Sequence, residues 1–248
     1  MILAINIGNT NVTVAFFNGI TTIKRYSYKQ YTKQNYFLKN LENDISNTRQ
    51  VKGIIMSSVV PDLTPMIFNS IFKVTGLKPY IVDINSRFNL DFSAYDSKLI
   101  GVDRLLCCEA ALETYKSSVI IFDLGTAITV NVINDKGAFI GGAILPGLEM
   151  GLKALTEGTA LLPKGDILPP TSVIGNNTAK CLISGAIYGT AAIIDSMSLQ
   201  IEKELGYKCS IIITGGNAKD ILKFCNVDLI YKPNLLLEGL LLLQRRQK

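Results

Sequence analysis

No histidine occurs anywhere in the 248 residues. That excludes a Ser-His-Asp hydrolase, a Cys-His protease and any His-ligated zinc, so chemistry must run on carboxylates, lysine, arginine, hydroxyls or a hard cation. Cysteine is scarce: Cys107, Cys108, Cys181, Cys209 and Cys225 form no C-x-x-C pair. An odd count argues against a disulfide framework and for a reducing compartment, with the thiols read as small buried hydrophobes. Basic residues are scattered, and a formal charge of +5 with no run of Lys and Arg does not describe a nucleic-acid arm. Arg245 and Arg246 read as a solvated tail. Residues 1–7 carry no basic flank or cleavage pattern, so they do not read as a signal peptide. The apolar stretches 182–199 and 235–243 are interrupted by Ser184, Gly185, Asp195 and Glu238, which argues against a membrane span. Together these absences predict a soluble, cytoplasmic protein whose partners include neither membrane nor nucleic acid.

What is present is apolar and repetitive. Hydrophobic residues make up 48% of the chain, enough for one large core or two domains of about 120 residues each. Ile2-Leu3-Ala4-Ile5-Asn6-Ile7-Gly8-Asn9-Thr10 runs parallel to Ile120-Ile121-Phe122-Asp123-Leu124-Gly125-Thr126-Ala127. Each is an apolar strand, an Asn or Asp, an apolar residue, Gly, and a turn bearing a small hydroxyl. Strands over 12–18 and 21–26 follow the first, and 128–134 and 138–144 the second, joined by hairpin turns at Asn18-Gly19 and Asp135-Lys136-Gly137. Further helices are predicted over 61–74, 102–115, 148–155, 178–205, 218–225 and 235–244, with one starting at Asn35. Strands are predicted over 53–57, 79–82, 210–214 and 229–231. The pattern is a duplicated α/β protein with halves 1–116 and 117–248 and a cleft between them.

Four loops carry chemistry. In Asn6-Ile7-Gly8-Asn9-Thr10-Asn11, Gly8 lets backbone N–H groups approach a polyphosphate, and Asn9 and Thr10 add neutral donors. Asp123-Leu124-Gly125-Thr126-Ala127 repeats the scheme with a carboxylate able to hold hydrated Mg²⁺ or a monovalent cation. Either loop alone fits an ordinary hairpin equally well; the pair points to phosphates. Thr214-Gly215-Gly216-Asn217 ends a strand and opens a helix, a place for an anion or simply a strand-to-helix connection. Gly101-Val102-Asp103-Arg104 is a capping charge pair or a general base beside a carboxylate-binding guanidinium.

In this order, together with Gly141-Gly142-Ala143-Ile144-Leu145-Pro146-Gly147 and Gly175-Asn176-Asn177-Thr178, these motifs resemble the type III pantothenate kinase family over nearly the whole chain. The resemblance implies the duplicated actin-like ATPase (ribonuclease H-like) fold. It also implies ATP-dependent phosphorylation of the pantothenate 4′-hydroxyl, the first step towards coenzyme A. On that basis Asp103 is the general base, and Gly101, Val102, Arg104, Tyr95 and Thr178 bind substrate, Thr178 from the partner subunit of a homodimer. Asn6, Gly8, Asn9, Thr10, Gly125, Thr126, Gly215 and Gly216 bind ATP. Asp123 is the metal ligand, and the cofactors are Mg²⁺ with ATP and a monovalent cation, K⁺ or NH₄⁺. The chain departs from the family at Asn6, where the family's first loop begins with Asp, and before Gly101, where the usual Asn-Pro is missing. A kinase-like regulatory or accessory protein and another small-molecule kinase of the superfamily are the competing readings.

Overall fold

The computed structural model describes residues 1–18, 20–28, 35–48, 51–96, 100–159, 170 and 172–247. The predicted turn at Asn18-Gly19 falls partly on Gly19, outside the described residues. Among the described residues, ten strands and seven helices divide into two compact units. The first holds residues 1–90, 96–110 and 235–248, the second 91–95 and 111–234.

Each unit is built on one five-stranded mixed sheet, and the two sheets have the same topology. In the first unit β1 (Ile2–Ile7), β2 (Asn11–Asn18), β3 (Ile20–Ser27), β4 (Gly53–Ser58) and β5 (Tyr80–Ile81) are ordered β3-β2-β1-β4-β5. In the second, β6 (Val119–Leu124), β7 (Ala127–Ile133), β8 (Phe139–Pro146), β9 (Ser210–Thr214) and β10 (Ile230–Tyr231) are ordered β10-β9-β6-β7-β8. In each, the first strand runs antiparallel to the second and parallel to the fourth. The duplication read from the sequence is therefore a duplication of structure.

Strand β1 shows why the central strands read as continuous apolar runs: both its faces are covered. Leu3, Ile5 and Ile7 enter one core with Phe37 and Leu41 of α1 (Asn35–Ser46) and Ile67 and Ile71 of α2 (Thr64–Thr75). Ala4 faces the other way, into a core with Leu106 of α3 (Val102–Tyr115) and Leu237, Leu240 and Leu243 of α7 (Leu235–Arg246). The second sheet packs Ile120, Phe122 and Leu124 against Ile187, Ala191 and Ile194 of α5 (Thr178–Leu205) and Ala218 and Ile221 of α6 (Ala218–Ile221).

Several expectations change in detail. Helix α2 begins at Thr64, three residues after Pro61, and it is Pro65 that occupies its first turn. The reason is a side-chain-stabilised turn: Thr64 Oγ1 lies within hydrogen-bond distance of Ser58 Oγ and the Val60 carbonyl, and Val60 N–H donates to Ser58 Oγ. The helix predicted over 218–225 breaks into α6 and a 3₁₀ turn at Leu222–Phe224, after which the Asp195 carboxylate accepts from the N–H groups of Asn226 and Val227. Arg246 is no solvated tail. It lies on α7 and donates to Glu109 Oε1 at 2.5 Å, and the Glu109 side chain is only 1% exposed. Cys107 and Cys108 are buried as expected, whereas Cys181 is exposed. Among the described residues one helix, α5, is long and apolar enough to cross a membrane, despite Ser184, Gly185 and Asp195. It packs on the second sheet, and Ser184, Thr190, Ser198 and Glu202 are buried along it.

Candidate functional site

The two sheets place two equivalent turns at the ends of their first strands. Asn6 is paired in register with Thr13 and Ser57, and Asp123 with Thr129 and Thr214. The six-residue loop from Asn6 to Asn11 is closed by a bond from Gly8 N–H to the Asn11 carbonyl at 3.0 Å. Asn9 is exposed and Thr10 half-buried. Ser57 Oγ donates to Asn6 Oδ1 at 2.9 Å, and Tyr28 donates its hydroxyl to the Gly8 carbonyl at 2.8 Å. Burial pushes the Tyr28 phenol up, so it remains a donor at neutral pH. Sequence reasoning missed Ser57 and Tyr28, because sheet register, not local spacing, brings them to the loop.

In the second unit three segments meet around the turn after β6. Gly125 N–H bonds the Ala127 carbonyl at 3.1 Å. Gly215, at φ +95°, leaves no room for a side chain: a Cβ there would collide with the Leu124 backbone and the Asp123 carboxylate. Gly147, which caps α4 (Leu148–Glu157), would strike the Gly125 and Thr126 carbonyls in the same way, and its N–H bonds Thr126 O at 3.2 Å. The structure thus gathers Asp123, Gly125, Thr126 and Gly215 and adds Gly147, whose sequence signal was glycine at a helix N-cap. Gly216 stands open, with no atom within 4 Å of where its Cβ would be. The helix opened by Gly215-Gly216 is only four residues long, and the N–H groups of Asn217 and Ala218 already bond Leu124 O and Gly215 O. Of the two glycines, Gly215 serves close approach to the Asp123 turn.

Gly101, Val102, Asp103 and Arg104 form the start of α3. Asp103 Oδ1 accepts from Arg104 N–H at 2.8 Å, and a side chain at position 101 would collide with that same oxygen. Arg104 is 8% exposed. Burial pushes the Asp103 carboxyl above the usual carboxylate range, against the opposing pull of the Arg104 N–H bond and charge. A carboxyl so placed is a better proton acceptor once ionised than one free in water.

Two expected substrate contacts lie apart from these groups in the sequence and sit in the second unit. Tyr95 packs edge-on to Phe139, ring centroids 5.1 Å apart, and lies over Gly141, where a Cβ would be 3.7 Å from the ring. Thr178 is the exposed first residue of α5, whose N-cap Asn177 accepts from Lys180 N–H. It lines an apolar groove of about 570 Å³ between α4 and α5, with Leu148, Leu152, Cys181 and Leu182.

No cluster of three or more His, Cys, Asp or Glu suited to a metal exists among the described residues. A dedicated protein cage for a divalent ion is thus not formed there. The single carboxylate of Asp123, on a glycine-flanked turn, does fit Mg²⁺ that arrives on phosphates and keeps much of its water.

Comparison with known proteins agrees with this architecture. The type III pantothenate kinase family model matches residues 2–200. A type III pantothenate kinase from Desulforapulum autotrophicum is 36% identical over 97% of this chain and 95% of its own length. One from Dehalococcoides mccartyi is 33% identical over 96% and 95%. Among solved structures, a conserved putative Baf family transcriptional activator from Campylobacter jejuni superposes with a TM-score of 0.61 at 19% identity, covering 99% of this chain and 98% of that one. A putative N-acetylmannosamine kinase from Listeria monocytogenes gives 0.50 at 13% identity, covering 99% of both. At such identities these two speak for the fold alone, which is the duplicated actin-like ATPase fold. With the family match over four-fifths of its length and full-length relatives above 30% identity, the chain belongs to the type III pantothenate kinase family and is a kinase.

Proposed function

We propose that the protein transfers the γ-phosphoryl group of ATP to the 4′-hydroxyl of pantothenate, in the cytoplasm, as the first step of coenzyme A synthesis. The observation that carries this reading is Asp103, a half-buried carboxyl with a raised pKa at the start of α3, fixed against Arg104 in a family of pantothenate kinases. In this reading Asp103 takes the proton of the attacking hydroxyl, and Arg104 holds the substrate carboxylate with Gly101, Val102 and Tyr95 around it. Asn6, Gly8, Asn9, Thr10, Gly125, Thr126, Gly215 and Gly216 position the nucleotide. Asp123 would hold Mg²⁺ through water and border the site for K⁺ or NH₄⁺. When bound, the divalent ion supplies neutralising charge to the phosphates. The protein's own contribution is position, a proton acceptor and the exclusion of water.

The active unit in this proposal is a homodimer in which Thr178 completes the partner's substrate pocket. Exposed apolar side chains on β8, α4 and α5, including Ile144, Met150 and Leu155, support association through the second unit. Asn6 favours the competing reading of a kinase-like accessory protein, since an amide there lacks the negative charge that would attract a metal-bound water. One experiment separates the readings: ADP release with pantothenate, a hexose and acetate as acceptors, run across protein concentrations alongside sedimentation equilibrium. The expected result is turnover with pantothenate alone, by a dimer. Absence of pantothenate-dependent ADP contradicts the kinase reading, and a fully active monomer contradicts the dimer.

A further inference from the structure

The loop from Asn6 to Asn11 is unusual in what it turns inward. Five of its acceptors are engaged within the first unit. Asn6 Oδ1 accepts from Ser57, Ile7 O from Val59 N–H (3.0 Å), and Gly8 O from the Tyr28 hydroxyl. Thr10 O accepts from Tyr28 N–H (3.4 Å), and Asn11 O from Gly8 N–H. With Oδ1 bonded to Ser57, Nδ2 lies on the side of the turn, 3.8 Å from where a Cβ on Gly8 would stand. Asn9 adds an exposed amide, and no residue from 6 to 11 is charged. At the equivalent place in the second unit stands the carboxylate of Asp123. The duplicated sheets therefore present opposite chemistry at matched positions, donors with no charge in one and a carboxylate in the other.

A carboxylate beside a polyphosphate needs a cation between the two, because like charges at contact repel strongly. An amide whose oxygen is already bonded needs none, since its N–H₂ group bonds a phosphate oxygen directly. We propose that the first loop of this chain binds a nucleotide phosphate directly through the Asn6 amide, without an intervening cation. The inference rests on the assignment of this loop to nucleotide in the proposed function. It makes Asn6 a determinant of metal dependence in binding, whatever the turnover rate.

The test is calorimetric binding of the non-hydrolysable ATP analogue AMP-PNP, in excess Mg²⁺ and in EDTA, to the wild type, Asn6→Ala and Asn6→Asp. Loss of a hydrogen bond to a charged group should weaken binding to Asn6→Ala roughly tenfold, by the same factor with and without Mg²⁺. Asn6→Asp should bind poorly in EDTA and recover with Mg²⁺, so that its Mg²⁺ dependence exceeds that of the wild type by about tenfold or more. Unchanged affinity of Asn6→Ala, a loss seen only with Mg²⁺, or equal Mg²⁺ dependence in the wild type and Asn6→Asp overturns the inference while leaving nucleotide binding intact. If Asn6→Asp does not fold, Asn6→Ala decides alone. A wild type that binds no AMP-PNP in either condition overturns the nucleotide reading as well.

Discussion

Asp103, the proposed proton acceptor, is held in a setting that opposes its ionisation. Burial raises its pKa above the value near 3.9 that it would have unfolded, so the folded protein prefers it protonated. The associated stability is fully present below the unfolded value and is lost as pH rises through the folded one. At neutral pH the ionised carboxyl is a net burden. Asp103→Asn keeps an acceptor for Arg104 N–H and removes the charge, so its Tm should exceed that of the wild type at pH 7, with the gap closing towards pH 4. About 1 kcal/mol moves Tm by roughly 2–4 °C in a chain of this size. Melting curves across that pH range check it, and a gap that widens in acid would contradict the assignment. The place of Asp103 beside Arg104 at the start of a helix was legible in the sequence, and its proposed role as base draws on the absence of histidine. Ser57, Tyr28 and Glu109 were not legible, because each acts on a group brought to it by sheet register or helix packing.

Glu109 belongs to the scale of elements. It sits on α3 six residues beyond Asp103, and its carboxylate accepts from the N–H groups of Asn89 and Leu90 at 3.0 and 2.9 Å as well as from Arg246 on α7. Arg246 also donates to the Arg87 carbonyl, and Arg87 returns a bond to the Arg246 carbonyl. Helix α3, the segment 87–90 and the end of α7 are thus tied at one buried carboxylate. Gly239 lets α7 cross α3 closely, since a Cβ there would collide with the Leu106 backbone. Removing one partner of a buried ion pair typically costs about 3–5 kcal/mol. Glu109→Gln should lose stability of that order in urea denaturation, and pairing it with Arg246→Met should recover part of the loss. Strict additivity of the two changes would show that the pair is not coupled. The sequence marked α3, α5 and α7 well through their apolar spacing. It misplaced the start of α2 and the end of α7, because Ser58, Thr64 and Glu109 decide those ends through side chains.

At the scale of the whole molecule the duplication was the most legible feature. Matched strand–Gly–hydroxyl segments 117 residues apart (Asn6 against Asp123) announce two sheets, and both have the same strand order. What the repeat could not reveal is the interleaving of the units. The closing helix α7 packs on the first sheet, and Leu237, Leu240 and Leu243 meet Ala4 and Ile55 there. The alternation of small Ala4 with large Leu3 and Ile5 accommodates that helix, yet nothing in its own sequence says which sheet it covers. In the proposed reaction this duplicated kinase uses Asp103 to activate the hydroxyl of pantothenate. Rapid-quench single turnover of preformed complexes with ATP and pantothenate tests it most directly, comparing the wild type with Asp103→Asn. The expected result is one 4′-phosphopantothenate per ADP in the wild type and a rate about 10²–10⁴-fold lower in the variant, with ATP affinity nearly unchanged. A variant within about tenfold of the wild-type rate would contradict it.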